Sequence, residues 1–332
     1  ALDLADKGCK IVFADSFGHE SYMLEAAKEA PDVQFCHATG TTAHTANVKN
    51  FHNAFASIYE GRYLAGVAAG LKLNEMIKDG KIKAEEAKIG YVGAFTYAEV
   101  ISGYTSFFLG ARSICPTATM EVQFTGSWYD ETAEKEAATT LIANKCVLIS
   151  QHADSMGAPT ACENAKVPNV SYNGSTIKAC PNTFIVSSRI DWAPYYEYII
   201  GCVKDGKEID TDWTGTLATG SVVLTEVNDK AAAAGTAEKI EAVKADIESG
   251  KIHVFDTSKF TVTVDAAKGL NANAKIDADG HLTSYMADVN TDEKFEGDTE
   301  VVKDGFFAES TFRSAPYFDI KIDGITLLNT KF

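Results

Sequence analysis

The sequence contains no long apolar segment and no concentration of basic residues. None of its apolar runs approaches the roughly 20 residues that a membrane-spanning helix requires, so we predict that no segment crosses a bilayer. The formal net charge of −16 and the pI near 4.9 argue against a nucleic-acid partner, which would need a basic surface to neutralise phosphates. What remains is an acidic chain with 45% hydrophobic residues, enough to form a large buried core.

Motifs for metals, phosphates and catalytic nucleophiles are also missing. The seven cysteines show no Cys-x-x-Cys spacing and no accompanying histidine pattern, which disfavours zinc binding and thioredoxin-like chemistry. We expect the cysteines to be small buried side chains, although Cys162 and Cys180 could pair. No Gly-x-Ser-x-Gly, His-Glu-x-x-His, Gly-x-Gly-x-x-Gly or phosphate-loop motif occurs. We therefore expect no catalytic residue, no cofactor and no phosphate-rich ligand.

One acidic segment begins like a calcium-binding loop. Residues 288–292 read Asp-Val-Asn-Thr-Asp, but Glu293 stands where the loop needs glycine and Thr299 where a bidentate glutamate belongs. We interpret this segment as a solvated acidic turn and predict no metal site.

Length and periodicity indicate an α/β protein with more than one structural unit. A chain of 332 residues suggests two units at about 150 residues per domain. Strand-like runs alternate with helical patterns, which is typical of parallel sheets. The strand-like runs lie at residues 10–14, 33–37, 89–94, 120–125, 147–151, 170–173 and 184–187, and the helical patterns include residues 20–30, 58–76, 100–112, 130–144, 158–166 and 192–203.

Both ends of the chain depart from this alternation. Residues 1–8 have the pattern of a helix end closed by glycine, so we expect an N-terminal segment, including the first strands, to precede this chain. A helix at 231–249 is followed by a β-rich, aspartate-rich tail, with a hairpin turn at Asp279-Gly280. Apolar residues of this tail should pack onto the rest of the protein, namely Phe312, Tyr317, Phe318, Ile320 and Ile322.

The apolar run at 147–151 opens abruptly into polar residues and a glycine. In open α/β sheets, ligands bind at the edge where the strands end, so His152, Asp154 and Ser155 are candidates for a binding site. His152 could hydrogen-bond a base edge or act as a general base, but no nucleophile motif accompanies it. This absence favours binding over catalysis.

Several blocks of the sequence, in this order, resemble the basic membrane protein family, also called PnrA-like, of substrate-binding lipoproteins of ABC importers. The resemblance covers about residues 1–255 and rests on Phe17-Gly18, His37-Ala38-Thr39-Gly40, the run Ile-Tyr-Glu-Gly-Arg-Tyr-Leu-Ala-Gly at 58–66, Gly-Tyr-Val-Gly-Ala-Phe at 90–95, Trp128-Tyr129-Asp130, Gln-His-Ala-Asp-Ser at 151–155, Tyr172-Asn173 and Ser-Ser-Arg-Ile-Asp-Trp at 187–192.

The resemblance implies an α/β type I periplasmic-binding fold, with two Rossmann-like lobes of parallel sheets joined by a three-stranded hinge. On this basis we expect lobe I to comprise residues 1–54 and 188–225, and lobe II residues 55–187 and 226–258. Residues 259–332 lie beyond the family's common core and are expected to form a C-terminal extension packing on the lobes.

The resemblance also implies a function. We expect a monomeric, extracytoplasmic protein at the cell surface or in the periplasm, lipid-anchored through an N-terminal cysteine outside this chain. It would capture a purine nucleoside or nucleobase and deliver it to an ABC permease in the membrane. The alternatives are a binding protein for a sugar or another heterocycle, a sensory effector domain of the same fold, and a purine-salvage enzyme. The enzyme would need a metal-binding carboxylate cluster or a phosphate site.

The expected ligand contacts combine flat apolar faces for a base with polar groups for hydroxyls. The aromatic candidates could instead pack in the core or between the lobes, and Arg189 could instead pair with Asp191. The predicted ligand-binding residues are Phe17, Gly18, Phe95, Tyr97, Trp128, His152, Asp154, Ser155, Asn173, Arg189 and Trp192.

Overall fold

Helices and strands alternate along most of the protein. The computed structural model describes residues 1–289 and 299–331. Its helices are α1 Leu2–Asp6, α2 Glu20–Glu29, α3 Ala43–Ala46, α4 Ile58–Lys78, α5 Ala98–Ile114, α6 Glu131–Ala143, α7 Gly157–Ala165, α8 Ala193–Asp205 and α9 Thr236–Glu248. Its strands are β1 Ile11–Ala14, β2 Gln34–Ala38, β3 Phe51–Ala56, β4 Lys88–Gly93, β5 Thr119–Phe124, β6 Leu148–Gln151, β7 Asn169–Tyr172, β8 Phe184–Ile190, β9 Asp212–Gly215, β10 Val222–Leu224, β11 Ala274–Ile276, β12 Leu282–Ala287, β13 Thr299–Glu300, β14 Val302–Lys303, β15 Phe306–Phe307 and β16 Ile325–Leu327. The α/β prediction is confirmed.

The longer strands form two sheets. The four-stranded sheet has the order β1-β2-β3-β9, with all pairs parallel. The seven-stranded sheet has the order β10-β8-β7-β6-β4-β5-β16, and in it β10 is antiparallel to β8 while the remaining pairs are parallel. Parallel strands end at the same edge, so each sheet presents one edge of loops to a common cavity described below.

The sequence pattern does not predict β3, because His52 and Asn53 interrupt its apolar run. Both side chains are buried and hydrogen-bonded. The His52 ring nitrogens contact the Asp210 carbonyl oxygen at 3.0 Å and Gln34 Oε1 at 2.8 Å, and Asn53 Oδ1 accepts a hydrogen bond from the Ala43 N–H at 2.8 Å. Long-range partners therefore place polar residues in a central strand that local patterning misses.

The chain passes between the two sheets three times, after β3, after β8 and after β9. The crossing segments hydrogen-bond to one another: the Ser57 N–H donates to the Gly215 carbonyl at 2.7 Å, and the Asp191 N–H donates to the Ser221 carbonyl at 2.8 Å. A Cβ on Gly215 would lie only 2.4 Å from Ser221 Cβ, so this crossing requires glycine. These crossings match the three-stranded connection that the resemblance implies. Residues 188–225 contribute strands to both sheets, and the lobe boundaries stay a prediction.

Described residues of the C-terminal segment that begins at 259 contact both sheets. Strand β16 adds to the edge of the seven-stranded sheet beside β5, and the Asn329 side chain bonds both the N–H and the carbonyl of Phe124. The Ser314 N–H donates to Asp212 Oδ2 in β9 at 2.8 Å. The predicted hairpin at Asp279-Gly280 is present, since β11 and β12 pair antiparallel around it. Of the calcium-like segment, residues 290–298 lie outside the described residues.

Four of the five apolar residues predicted to pack in the extension are buried. Phe318 stacks on Phe255 with ring centroids 4.2 Å apart. Phe312 is the exception, because its side chain is 43% exposed. The buried residues are Tyr317, Phe318, Ile320 and Ile322.

The cysteines behave as small apolar side chains. All seven are free thiols, and all but Cys9 are buried. Cys162 and Cys180 are therefore not paired. Burial raises the pKa of the Cys36 and Cys146 thiols to about 12, which keeps both protonated at neutral pH.

The carboxyl group of Glu60, at the start of α4, makes the stability of the folded protein depend on pH. Its carboxylate accepts a hydrogen bond from the Leu217 N–H at 2.9 Å, and burial raises its pKa from 4.5 to about 7. The folded state holds this proton more tightly than the unfolded chain does, so stability falls as pH rises between these values. We expect Glu60→Gln, which keeps the acceptor and removes the charge, to gain stability relative to the parent as pH rises from 4.5 to about 7 and to keep that gain at higher pH.

Urea unfolding at several pH values measures this gain. Glu136→Gln is the matched control, because Glu136 is an exposed glutamate within α6. A difference between Glu60→Gln and the parent that stays constant with pH would contradict the assignment.

Candidate functional site

A cavity of about 330 Å³ lies where strands of both sheets end. We call it the cleft cavity. Its volume falls within the range of small-molecule sites, and its position is the one where open α/β sheets bind ligands. The residues that line it are Asp15, Ser16, Phe17, Thr39, Phe55, Glu99, Trp128, Asp154, Tyr172, Asn173, Ile190 and Trp192.

Aromatic rings form much of the cavity wall. Trp128, after β5, packs edge-on against Phe95 with ring centroids 5.2 Å apart. Trp192, between β8 and α8, packs against Phe13 at 5.7 Å. Phe17, after β1, stacks on Tyr97 at 5.0 Å with 18° between the ring planes. Because Phe17 follows a strand of one sheet and Tyr97 a strand of the other, this stack bridges the two sides of the cavity.

Carboxylates supply the charge of the cleft cavity. Asp15, Glu99 and Asp154 line it, and among the described lining residues there is no lysine or arginine. The Asn173 amide donates to Asp154 Oδ1 at 2.7 Å. Burial raises the pKa of Asp154, while the Asn173 hydrogen bond lowers it. Such a wall accepts hydrogen bonds from hydroxyl or amino groups and repels anions.

At two strand ends beside the cavity, a residue other than glycine adopts a left-handed backbone conformation. Thr39, after β2, has φ 66°, and Asn173, after β7, has φ 63°. A β-branched threonine is rare in this region, and such conformations cost about 1–3 kcal/mol unless their surroundings hold them. Here the Glu20 carboxylate accepts the N–H groups of Thr41 and Thr42 at 2.7 and 2.8 Å. The loop that carries Thr39 is thus fixed in place.

Two buried basic side chains, His152 and Arg62, lie behind Tyr172 of the cavity wall. The His152 ring is 4.3 Å from the Tyr172 ring, and its Nε2 is 3.6 Å from Glu99 Oε1. Arg62 of α4 is fully buried and lies with its guanidinium 5.4 Å from the Tyr172 ring centroid. Its Nη2 donates to Ser150 Oγ at 2.8 Å. Arg62 and His152 therefore support the cavity wall from behind.

Of the predicted ligand-binding residues, five line the cleft cavity, namely Phe17, Trp128, Asp154, Asn173 and Trp192. Phe95 packs edge-on against Trp128, and Tyr97 borders a neighbouring cavity. Ligand contact by these residues stays a prediction.

The other four predicted residues do not line the cleft cavity. His152 is 1% exposed and faces Tyr172 and Glu99. Ser155 is buried, with its N–H donating to the Glu134 carboxylate. Arg189 pairs with Asp191 at 3.4 Å, which is the alternative considered from the sequence. Gly18 has open space around it, so nothing nearby requires a glycine there. These positions favour supporting roles over direct contact.

Sequence reasoning missed seven lining residues. Asp15 and Ser16 directly follow β1, so the strand-exit rule applied to Asp154 also points to them, whereas Glu99 lies in the first turn of α5. Phe55 and Tyr172 lie within strands, where no local signal separates a cavity wall from the core. The full set is Asp15, Ser16, Thr39, Phe55, Glu99, Tyr172 and Ile190.

The described residues offer little for metal chemistry or membrane insertion. Residues 1–289 and 299–331 contain no group of three or more histidine, cysteine, aspartate or glutamate side chains placed to hold a metal ion. Among the helices of that part of the chain, none is both long and apolar enough to span a membrane.

Comparison with known proteins identifies a family. The profile of the family described as ABC transporter substrate-binding protein PnrA-like matches residues 1–258, which confirms the resemblance seen in the sequence. A putative ABC transporter glucose-binding protein of Haloferax volcanii is 32% identical over 259 residues, covering 75% of this chain and 62% of that protein. A purine-binding protein of Brucella abortus is 35% identical over 203 residues, covering 61% of this chain and 54% of that protein.

These alignments span only about half to three fifths of the curated relatives. A solved structure agrees with the fold: the solute-binding protein of an ABC transporter system from Aeropyrum pernix K1 has a TM-score of 0.62 at 17% identity, covering 80% of this chain and 81% of that one. At this identity the likeness concerns the fold alone. It confirms an α/β fold with parallel sheets of the solute-binding type.

Proposed function

Because this chain belongs to the PnrA-like family of ABC transporter substrate-binding proteins, we propose that it captures a purine nucleoside or nucleobase between its two sheets for delivery to a membrane permease. The observation that carries the proposal is the composition of the cleft cavity. Aromatic rings such as Trp128 and Trp192 offer faces for a base, and carboxylates such as Asp15 and Asp154 offer acceptors for hydroxyl and amino groups. The relative named as purine-binding supports this ligand class.

The charge of the cleft cavity further limits the class of ligand. Three carboxylates and no lining cation among the described residues disfavour nucleotides, whose phosphates would be repelled. The ligand is therefore neutral or cationic. Closure follows from contacts with both sheets, since a ligand held by both sides stabilises the closed state by its preference for that state. The Phe17–Tyr97 stack already joins the two sides of the cavity in this structure.

A sugar is the second candidate, favoured by the same carboxylates and by the relative named as glucose-binding. Titration calorimetry with adenosine, guanosine, inosine and glucose separates the two. We expect binding of at least one purine nucleoside and a large preference over glucose. Tighter binding of glucose than of every nucleoside would replace the purine proposal with the sugar.

Binding without chemistry is the expected outcome of prolonged contact with ligand. No nucleophile motif or metal cluster accompanies the cavity in the described part of the chain. We expect inosine, guanosine and adenosine to be recovered intact by chromatography after incubation with the protein for hours. Release of free base, absent from a sample without protein, would instead support a purine-salvage enzyme.

Family membership supports the further proposal that the protein works outside the cytoplasm with a membrane permease. Attachment by a lipid through an N-terminal cysteine and a monomeric state are the further parts of the proposal. Metabolic labelling of the full-length protein with a fatty-acid analogue tests the first, and light scattering of the purified chain tests the second.

A further inference from the structure

A second cavity, of about 280 Å³, borders the cleft cavity. The two share Phe17, Thr39 and Glu99 as lining residues, so they are neighbouring compartments on either side of these side chains. We call the second compartment the annex. Its far wall comes from the C-terminal extension and includes Tyr317 and Asp319. This wall lies beyond residue 258, where the family match ends.

The extension holds this wall through contacts with both sheets. The Ser314 N–H donates to Asp212 of β9, in the four-stranded sheet. On the other side, the Tyr59 hydroxyl of α4 donates to the Glu309 carbonyl at 3.4 Å, and β16 pairs with β5 in the seven-stranded sheet. Ser314 and Tyr317 are buried. The far wall of the annex is therefore a built part of the fold.

The annex is lined by more acidic than basic side chains. Glu99, Asp288 and Asp319 contribute carboxylates, and Arg313 is the one cation among its described lining residues. The Arg313 guanidinium donates to three backbone carbonyl oxygens at 3.0 to 3.3 Å, and only 9% of the residue is exposed. Three of its five N–H donors are thus occupied by backbone carbonyl oxygens. Asp319 is an exposed residue of this wall, and its Oδ1 accepts a hydrogen bond from the Tyr285 hydroxyl at 2.5 Å. Partial desolvation raises the pKa of Asp319, while this hydrogen bond lowers it.

The aromatic rings that line the annex also favour a cationic group. Phe17 and Tyr97 stack at its boundary with the cleft cavity, and Tyr317 lines its far side. Ring faces attract ammonium groups, as carboxylates do. The geometry points to an annex that receives an amine-bearing arm of a ligand whose ring occupies the cleft cavity, an inference that rests on the proposed function. The extension thereby sets which substituted ligands the protein accepts.

Matched pairs of compounds test this inference by calorimetry. Adenosine is compared with 5′-amino-5′-deoxyadenosine, and glucose with glucosamine, so that either ligand class supplies a parent compound. In the pair whose parent binds, we expect the amine to bind up to about fivefold tighter than the parent, the size typical of a partly exposed ion pair. We expect adenosine 5′-monophosphate to bind at least about tenfold more weakly than adenosine, because like charges repel.

Two variants assign the preference to the annex. Asp319→Asn removes one carboxylate while keeping its shape, and Ala98→Phe narrows the annex from α5. Both should bind the parent compound with unchanged affinity, which also reports correct folding, and both should lose the preference for the amine. Asp304→Asn is the control, because Asp304 is an exposed aspartate of the extension outside the annex.

The outcomes separate the two proposals. An amine that binds no tighter than its parent in the unaltered protein, or a preference that survives in both variants, overturns the annex while leaving the proposed function intact. If none of adenosine, guanosine, inosine and glucose binds, the proposed function has failed and the annex fails with it.

Discussion

Replacing Trp128 with alanine is expected to weaken nucleoside binding by about 1–3 kcal/mol, the size measured when a base loses an aromatic stacking partner. That loss corresponds to a dissociation constant raised by roughly 5-fold to 150-fold. Trp128 lines the cleft cavity and is only partly buried, so truncation removes a ligand surface and little of the core. Calorimetric titration of the variant with the preferred nucleoside measures the effect.

The neighbouring residue Tyr129 provides the control. Its side chain is 66% exposed and does not line the cavity, so Tyr129→Ala should bind the nucleoside like the parent. Equal affinities for Trp128→Ala, Tyr129→Ala and the parent would defeat the proposal that the base stacks on Trp128.

For Trp192 a more conservative substitution is the better test. Its ring contacts Phe13, Phe55 and Tyr195 within 6.4 Å, so alanine would disturb packing as well as binding. Trp192→Phe keeps an aromatic face and reduces its area. We expect weaker binding than in the parent with a smaller loss than Trp128→Ala causes.

Replacing Arg62 with alanine is expected to lower the free energy of unfolding by about 3–5 kcal/mol, as truncation of a large buried side chain does. Arg62 is fully buried, with its guanidinium 4.9 Å from the Phe107 ring centroid and 5.4 Å from that of Tyr91. Alanine leaves a cavity among these rings and removes the donors that serve Ser150 and Ser171. Urea unfolding monitored by circular dichroism measures the change.

Arg62→Met separates the two contributions. Methionine restores most of the packing and leaves mainly the lost hydrogen bonds, which we expect to cost about 1–3 kcal/mol. Arg189→Ala is the control, since the Arg189 side chain is 42% exposed in a surface ion pair, and its loss should change stability by less than about 1 kcal/mol. An Arg62→Ala variant as stable as Arg189→Ala would show that the buried guanidinium contributes nothing net.

How far the site could be predicted depended on where each residue lies relative to a strand end. Asp154 and Asn173 were predicted because polar residues just after β6 and β7 must emerge at the ligand edge of a parallel sheet. Glu99 was not predicted, because it lies in the first turn of α5, several residues beyond the end of β4, rather than directly at the strand end. His152 obeys the rule in sequence yet is buried.

The difference between His152 and Asp154 arises from side-chain direction and long-range partners. Successive residues leaving a strand point to different sides, and His152 turns inward, where Tyr91 Oη lies 3.3 Å from its Nδ1 and Tyr172 covers its ring. Those partners come from other strands, so no local pattern contains them. The same holds for Arg62 of α4, a helix whose sequence pattern indicates core packing. Its Nη1 and Nη2 groups donate hydrogen bonds to residues of β4, β6, β7 and β8.

Local patterning was sufficient for the α/β class, the order of most strands along the chain, and the edge at which a site would form, because apolar periodicity and strand ends are properties of neighbouring residues. It did not predict strand β3, the inward turn of His152, the wall formed by Phe55 and Tyr172, or the annex. Each of these depends on residues far apart in sequence meeting across the two sheets or against the C-terminal extension. Such meetings are set by packing and buried hydrogen bonds of the whole chain, and only the folded protein brings their partners together.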